Sequence, residues 1–201
     1  MKKILMTLAA VAVATTMNAQ IWAGGELGFT TSHKNSSNWT SKNLTISPEV
    51  GYNLSDNFAV AIALGYSYAS NLKDEDLNME FDHTNTYSIK PYVRYTFVKA
   101  GNFSAFLDGG LNYQTQHAKG YKKNMNTIGV FVTPGIAYNV SEKVTLVAHL
   151  GDGLYYNHKW NDSYIPELGS NEKYAVQTSN NWNKFGFQLL NGISFGAYYN
   201  F

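Results

Sequence analysis

FGFQLLNGISFGAYYNF, residues 185–201, closes the chain on an alternation of large apolar and small or polar side chains. Phe185, Phe187, Leu189, Ile193, Phe195, Ala197, Tyr199 and Phe201 hold the odd positions, and Gly186, Gln188, Leu190, Gly192, Ser194, Gly196, Tyr198 and Asn200 the even ones. A period of two sends successive side chains to opposite faces of a strand, so this segment is a two-sided strand. Terminal residues of soluble domains usually fray and stay polar. A most hydrophobic strand placed last therefore points to an apolar surrounding. One feature competes with a single strand: Asn191-Gly192 is a strong hairpin signal. A turn there makes 185–190 a strand of its own and, with 173–179 as another, allows ten strands. The preferred reading is one bent strand whose lower half, 193–201, crosses a membrane.

The same parity recurs seven times upstream, at 21–31, 43–54, 58–70, 86–98, 103–117, 127–140 and 144–158. In the third of these, Phe58, Val60, Ile62, Leu64, Tyr66 and Tyr68 oppose Ala59, Ala61, Ala63, Gly65, Ser67 and Ala69, a run that taken alone also suits a helix. Gly151-Asp152-Gly153 predicts a bulge or bend in the seventh. Pro48, Pro91 and Pro134 lie within apolar faces, where each removes a ladder donor; bulges would accommodate them. The links alternate in length. Those after Leu54, Val98 and Val140 take three or four residues, whereas 32–42, 71–85, 118–126 and 159–184 are long and carry much of the charge. Eight strands of this length, joined by short turns at one end and long polar loops at the other, predict an all-β fold: an eight-stranded antiparallel up-and-down transmembrane barrel. Aromatic residues gather toward strand ends, among them Tyr66, Tyr68, Tyr87, Phe97, Phe103, Tyr138 and Tyr199, as interfacial girdles require. Trp22 departs from that pattern, because its parity points inward.

Composition narrows the class further. Charged residues make up 14% and aromatic residues 15% of the 201 residues, against about 25% charged in ordinary soluble domains. Residues 1–19 place Lys2 and Lys3 before an apolar run, Ile4 to Ala14, and close on Asn18-Ala19. That is the pattern of a cleavable signal peptide, with the run too short to span a bilayer as a helix. Losing those two lysines leaves 13 basic against 14 acidic residues, which argues against a nucleic-acid partner. The chain contains no cysteine, so disulfides, thiolate metal sites and lipid attachment through a lipobox are all excluded. The expected organisation is a signal peptide at 1–19 and one barrel domain at 20–201.

With an export signal, eight alternating segments, the loop asymmetry and a terminal Phe201 preceded by Ile193, Phe195, Ala197 and Tyr199, the chain resembles the small bacterial outer-membrane β-barrel family, also called the porin family. Its fold looks like the eight-stranded OmpA and OmpX-type barrels. The resemblance implies residence in the outer membrane, contact with its lipid, and amino- and carboxy-termini on the periplasmic side. It also implies that Ile193, Phe195, Tyr199 and Phe201 form the signal read by the barrel-assembly machinery. It is weak for activity, because such barrels serve structural, adhesive, pore-forming and enzymatic roles.

The predicted inward faces carry charge at one depth. Glu26, Glu49, Arg94, Asp108 and His149 each lie four or five residues from the short-turn end of their strands, and Lys90 lies higher on the face of Arg94. An eight-stranded barrel is just wide enough to be filled by side chains, and buried charges require partners of opposite sign. An ionic belt closing the lumen is expected; a hydrated eyelet would use the same residues. His33, His83, His117 and His158 show no metal-ligand spacing. The acidic loop of Asp74, Glu75, Asp76, Glu80 and Asp82 lacks the spacing of a calcium loop. No nucleophile motif accompanies Ser32, Ser36 or Ser37 near His33, or His117. The expectation is therefore a barrel that is not an enzyme and needs no cofactor, with a structural or surface-interaction role through loops 32–42, 71–85, 118–126 and 159–184. The alternatives are a narrow diffusion channel and a lipid A modifying barrel enzyme.

Overall fold

A computed structural model describes residues 20–34, 39–71, 83–118, 124–161, 182–189 and 193–201. The predicted signal peptide, the acidic loop and segment 173–179 lie outside those residues. Ten strands follow one another: β1 (Ile21–Lys34), β2 (Trp39–Asn53), β3 (Phe58–Asn71), β4 (Thr84–Ala100), β5 (Phe103–Ala118), β6 (Met125–Asn139), β7 (Val144–Leu150), β8 (Gly153–Asn161), β9 (Trp182–Gln188) and β10 (Ile193–Asn200). All pair antiparallel, and β1-β2-β3-β4-β5-β6-β7-β10 close on themselves as a ring of eight. Strands β8 and β9 are the additional two. β8 prolongs β7 along β6, and β9 pairs with β8 as β10 pairs with β7.

The wall therefore has eight passes, two of them made in halves. Both halves of the last pass run in the same direction against the pass before them, as the separate strands β9 and β10; the hairpin signal Asn191-Gly192 lies outside the described residues. The bend at β7/β8 is the expected bulge. Val132 pairs with Leu154 but Gly135 with His149, which leaves two extra residues on the β7/β8 side. Gly151 and Gly153 have φ of 84° and 64°, a region that side chains avoid. A Cβ on Gly153 would also lie 2.0 Å from the Val132 carbonyl oxygen.

The strands outrun their predicted bounds at the long-loop end. β1 continues to Lys34, β2 starts at Trp39, β4 at Thr84 and β9 at Trp182. Composition marks these Ser-, Thr- and Asn-rich stretches as loop, but ladder hydrogen bonds form without regard to side-chain polarity. At the other end two turns share one device. Ser55 Oγ accepts from the Phe58 amide at 3.2 Å, and Ser141 Oγ from the Val144 amide at 3.1 Å. The first and last strands meet there, where the Phe201 amide donates to the Ile21 carbonyl at 2.9 Å.

The prolines are placed differently from expectation. Around Pro48 the β2–β3 pairing passes from Ile46↔Tyr66 to Glu49↔Ala63 with no change of register. Around Pro91 the β4–β5 pairing passes likewise from Ile89↔Tyr113 to Tyr92↔Gly110. These two sit in short gaps of the ladder and not in bulges: each keeps its pairing with the strand before it, Gly25↔Pro48 and Ile62↔Pro91, and interrupts only the one after it. Pro134 faces the β7/β8 bulge.

Large apolar side chains cover the outside, while small and aromatic side chains pack around charged ones inside. Phe185, Phe187, Leu189, Ile193, Phe195 and Tyr199 of the last pass are exposed, as are Leu64, Val93, Leu111, Val130 and their neighbours around the wall. The interior holds Trp22, Ala59, Ala63, Tyr92, Phe106, Ala137, Val147 and Tyr198 with Glu49, Arg94 and Asp108. The alanine-rich run that also suited a helix is β3, and its small inward side chains leave room for the rings opposite. Among the outward aromatic pairs, Phe58–Tyr95 stacks at 4.8 Å and Phe103–Tyr138 meets tilted at 4.6 Å near the short turns, and Tyr66–Tyr87 meets tilted at 5.3 Å toward the other end.

Candidate functional site

Arg94 and Asp108 are direct cross-strand partners on the inward faces of β4 and β5. Register alone thus delivers the guanidinium to the carboxylate. Nε donates to Oδ1 and Nη2 to Oδ2, both at 2.7 Å, the two-pronged geometry that suits a planar guanidinium. Four rings surround the cation, with Phe106 at 3.9 Å from Cζ, Tyr198 at 5.2 Å, Trp22 at 5.3 Å and Tyr92 at 5.7 Å. Aromatic faces attract a cation most when water is excluded, and Phe106 is 1% exposed. Nη2 also donates to Tyr198 Oη at 3.2 Å.

The belt continues from Asp108. Its Oδ2 lies 2.8 Å from His149 Nε2. The other ring nitrogen, Nδ1, lies against Oε1 of Glu26 in an ion-pair contact without hydrogen-bond geometry. Glu26 Oε2 accepts from Ser194 Oγ at 2.6 Å. On the neighbouring strand β2, Glu49 Oε2 accepts from Tyr92 Oη at 2.6 Å. Side chains from β1, β4, β5, β7 and β10 are joined in this way from Ser194 to Arg94, and β2 enters through Glu49 and Tyr92.

Of the six lumen residues read from the sequence, the structure brings Glu26, Arg94, Asp108 and His149 into one connected line and places Glu49 beside it. Lys90 stands apart, exposed to the lumen on the long-loop side and lining the three cavities there. Those cavities measure about 160, 290 and 340 Å³. A fourth, of about 520 Å³, opens on the short-turn side and is lined by Arg94, Lys99, Lys143, Asp56 and Asn200. Asp108 faces the first of the upper cavities and Arg94 the lower one. The ion pair is the septum between them.

Counting charges alone missed Trp22, Tyr92, Phe106, Tyr198 and Ser194. The inward parity of all five was visible; what parity lacks is that an inward aromatic ring can serve a cation. The remaining histidines are dispersed. His117 Nδ1 lies 2.9 Å from Asn124 Oδ1, and His158 Nδ1 lies 2.8 Å from Asn183 Oδ1. His83 stacks on Tyr68, and the ring of His33 is outside the described residues. In the closing strand the side chains of Ile193, Phe195 and Tyr199 point out of the barrel, exposed.

A family model described as "Outer membrane protein beta-barrel domain" matches residues 4–201. No curated protein matches the chain by sequence. Among solved structures it is similar to Neisserial surface protein A, at 18% identity and a TM-score of 0.52 over 90% of this chain and 97% of that one. It is similar also to the outer membrane protein OprG of Pseudomonas aeruginosa, at 12% identity and a TM-score of 0.48 over 90% and 95%. A third is a major outer membrane protein of Thermus thermophilus, at 14% and 0.47 over 92% and 100%. At these identities the likeness is one of fold.

Proposed function

The chain belongs to the outer membrane protein beta-barrel domain family, and from that premise we propose that it is a closed-lumen barrel, non-catalytic, with a structural or surface-interaction role exercised through its long-loop end. The observation that carries this reading is the septum. Arg94 and Asp108 are buried, paired through two hydrogen bonds and ringed by aromatic side chains between the upper and lower cavities of the lumen. An eight-stranded wall leaves a bore that side chains fill, and moving one member of such a pair aside would strand a buried charge. Purified protein in planar bilayers is expected to pass no steady unitary current. A steady current in the wild type whose size changes in Arg94→Gln or Glu49→Gln would overturn the plug in favour of an eyelet.

Both termini, and with them the short turns, lie on the periplasmic side in this reading, and the long loops meet the exterior and its ligands. The absence of cysteine makes the test clean. Single cysteines at Asn102, in a short turn, and at Asn124, beside a long loop, should differ in intact cells: an impermeant maleimide labels Asn124→Cys and spares Asn102→Cys. The reverse pattern inverts the topology. The outward row of Ile193, Phe195, Tyr199 and Phe201 supports a role as the assembly signal, since the last pass presents it along the edge that closes the ring.

A further inference from the structure

The lumen is packed at the level of the septum and hollow above it, and strand register accounts for both. Glu49 pairs with Ala63, and Ala63 with Lys90. Lys90 stands opposite Asn112, because the β4–β5 pairing keeps its register across Pro91. The row runs on through Asn112↔Gly129, Gly129↔Asn157 and Asn157↔Lys184. One level of the inner wall therefore carries five polar side chains, and the two small residues between them, Ala63 and Gly129, fill little of the bore. Two residues nearer the short turns, the next inward row brings Tyr92, Phe131 and Tyr155 together as a floor.

Two adjoining cavities occupy this level. The one of about 290 Å³ is lined by Lys90, Asn112, Asn157 and Lys184 with Phe131 and Tyr155. The one of about 160 Å³ shares Lys90 and Phe131 with it and adds Glu49. Three buried side-chain nitrogen or oxygen atoms among the described residues have no hydrogen-bond partner. One is His149 Nδ1, which meets Glu26 as an ion pair. The other two, Glu49 Oε1 and Asn112 Oδ1, are acceptors of residues that line these cavities. Glu49 is 8% exposed, and its second oxygen is already taken by Tyr92. A buried acceptor without a donor is costly, so the two call for a group that brings hydrogens.

The charges decide which group. Lys90 and Lys184 share the space with Glu49 and Asp152. An anion brings no hydrogen to either acceptor and meets the Glu49 carboxylate, whereas an organic cation meets two ammonium groups. A hydroxyl suits both kinds of neighbour, because it donates to a carboxylate or amide oxygen and accepts from an ammonium. Several hydroxyls on a compact ring with an apolar C–H face also match a wall of polar groups above an aromatic floor.

We propose that these two cavities form a saccharide site for one neutral pyranose residue. Its hydroxyls donate to Glu49 Oε1 and Asn112 Oδ1 and accept from Lys90, and its apolar face rests on Phe131 and Tyr155. The site deepens the surface-interaction reading above: entry from the cell exterior rests on that reading, and binding itself does not.

The test is saturation-transfer NMR on the full barrel in polyoxyethylene micelles, which carry no sugar, with glucose, galactose and N-acetylglucosamine as probes. The wild type is expected to transfer saturation to the ring protons of at least one of them. Asn112→Leu and Lys90→Met should each weaken that binding about tenfold, the usual worth of a hydrogen bond to a buried or charged partner. Asn112→Asp, which keeps an acceptor in place, should retain it, so a lost contact is told apart from a lost fold. Binding of maltotriose as well supports the end of a glycan as the source, and its exclusion supports a free sugar. No transfer to any of the three sugars, binding unchanged in Asn112→Leu and Lys90→Met, or tighter binding of glucuronate or glucosamine than of the neutral sugars overturns the proposal. Sugar binding by a barrel that passes steady unitary current would uphold the site and refute the closed lumen; no binding by a barrel that passes none would do the reverse.

Discussion

Asp108→Ala is expected to destabilise the folded barrel by about 3–5 kcal/mol, the cost of leaving a buried partner charge uncompensated. Arg94 would then keep its four rings and its bond to Tyr198 but lose both short hydrogen bonds, and cation–π contacts of about 0.5–2 kcal/mol each do not replace a carboxylate. The loss spreads, because Asp108 also holds His149, which contacts Glu26. Arg94→Met/Asp108→Leu removes both charges together and should stand within about 2 kcal/mol of wild type, since exchanging a whole buried pair for apolar groups of similar volume is often neutral. Denaturant titration in detergent measures both. Trp22, 5.3 Å from the guanidinium, provides a fluorescence probe at the site. If Asp108→Ala costs under about 1 kcal/mol, the pair is not what holds the septum.

Legibility from sequence follows from what each signal depends on. Parity depends only on the pleat, so the alternation in β3 or in residues 193–201 fixed which side chains face in. The depth of Glu26, Arg94, Asp108 and His149 followed by counting from the short turns, which are tight and leave little play. Lys90, which the sequence places higher on the face of Arg94, lines the cavities on the long-loop side, since four positions along a tilted strand carry an ammonium beyond the packed layer. The prolines were legible as a problem and not as a solution, because a skipped pair that leaves the register unchanged has no residue signature. The bend between β7 and β8 was legible by contrast, because Gly151 and Gly153 take positive φ and glycine marks such positions in a sequence.

Gly24 and Gly28 make the closure of the ring testable through its stability. Both lie on β1 with the same inward parity, four residues apart. A Cβ on Gly24 would lie 2.0 Å from the Ala197 carbonyl oxygen and 2.8 Å from Tyr198 Cα, and Gly24 pairs with Tyr198 in the ladder that joins the first strand to the last. Backbone cannot yield there without parting β1 from β10. Overpacking of a rigid site costs about 1–3 kcal/mol or more, and here the strands that would part are the ones that close the ring, so Gly24→Val is expected to forfeit the compact, heat-modifiable form on gels. A Cβ on Gly28 would meet Thr45 Cβ at 3.6 Å, an ordinary contact. Gly28→Val should therefore fold within about 0.5 kcal/mol of wild type, as substitutions away from tight contacts do. Equal damage from both substitutions would mean that the β1–β10 ladder is not what makes Gly24 sensitive; damage from Gly24→Val alone assigns the loss to that ladder.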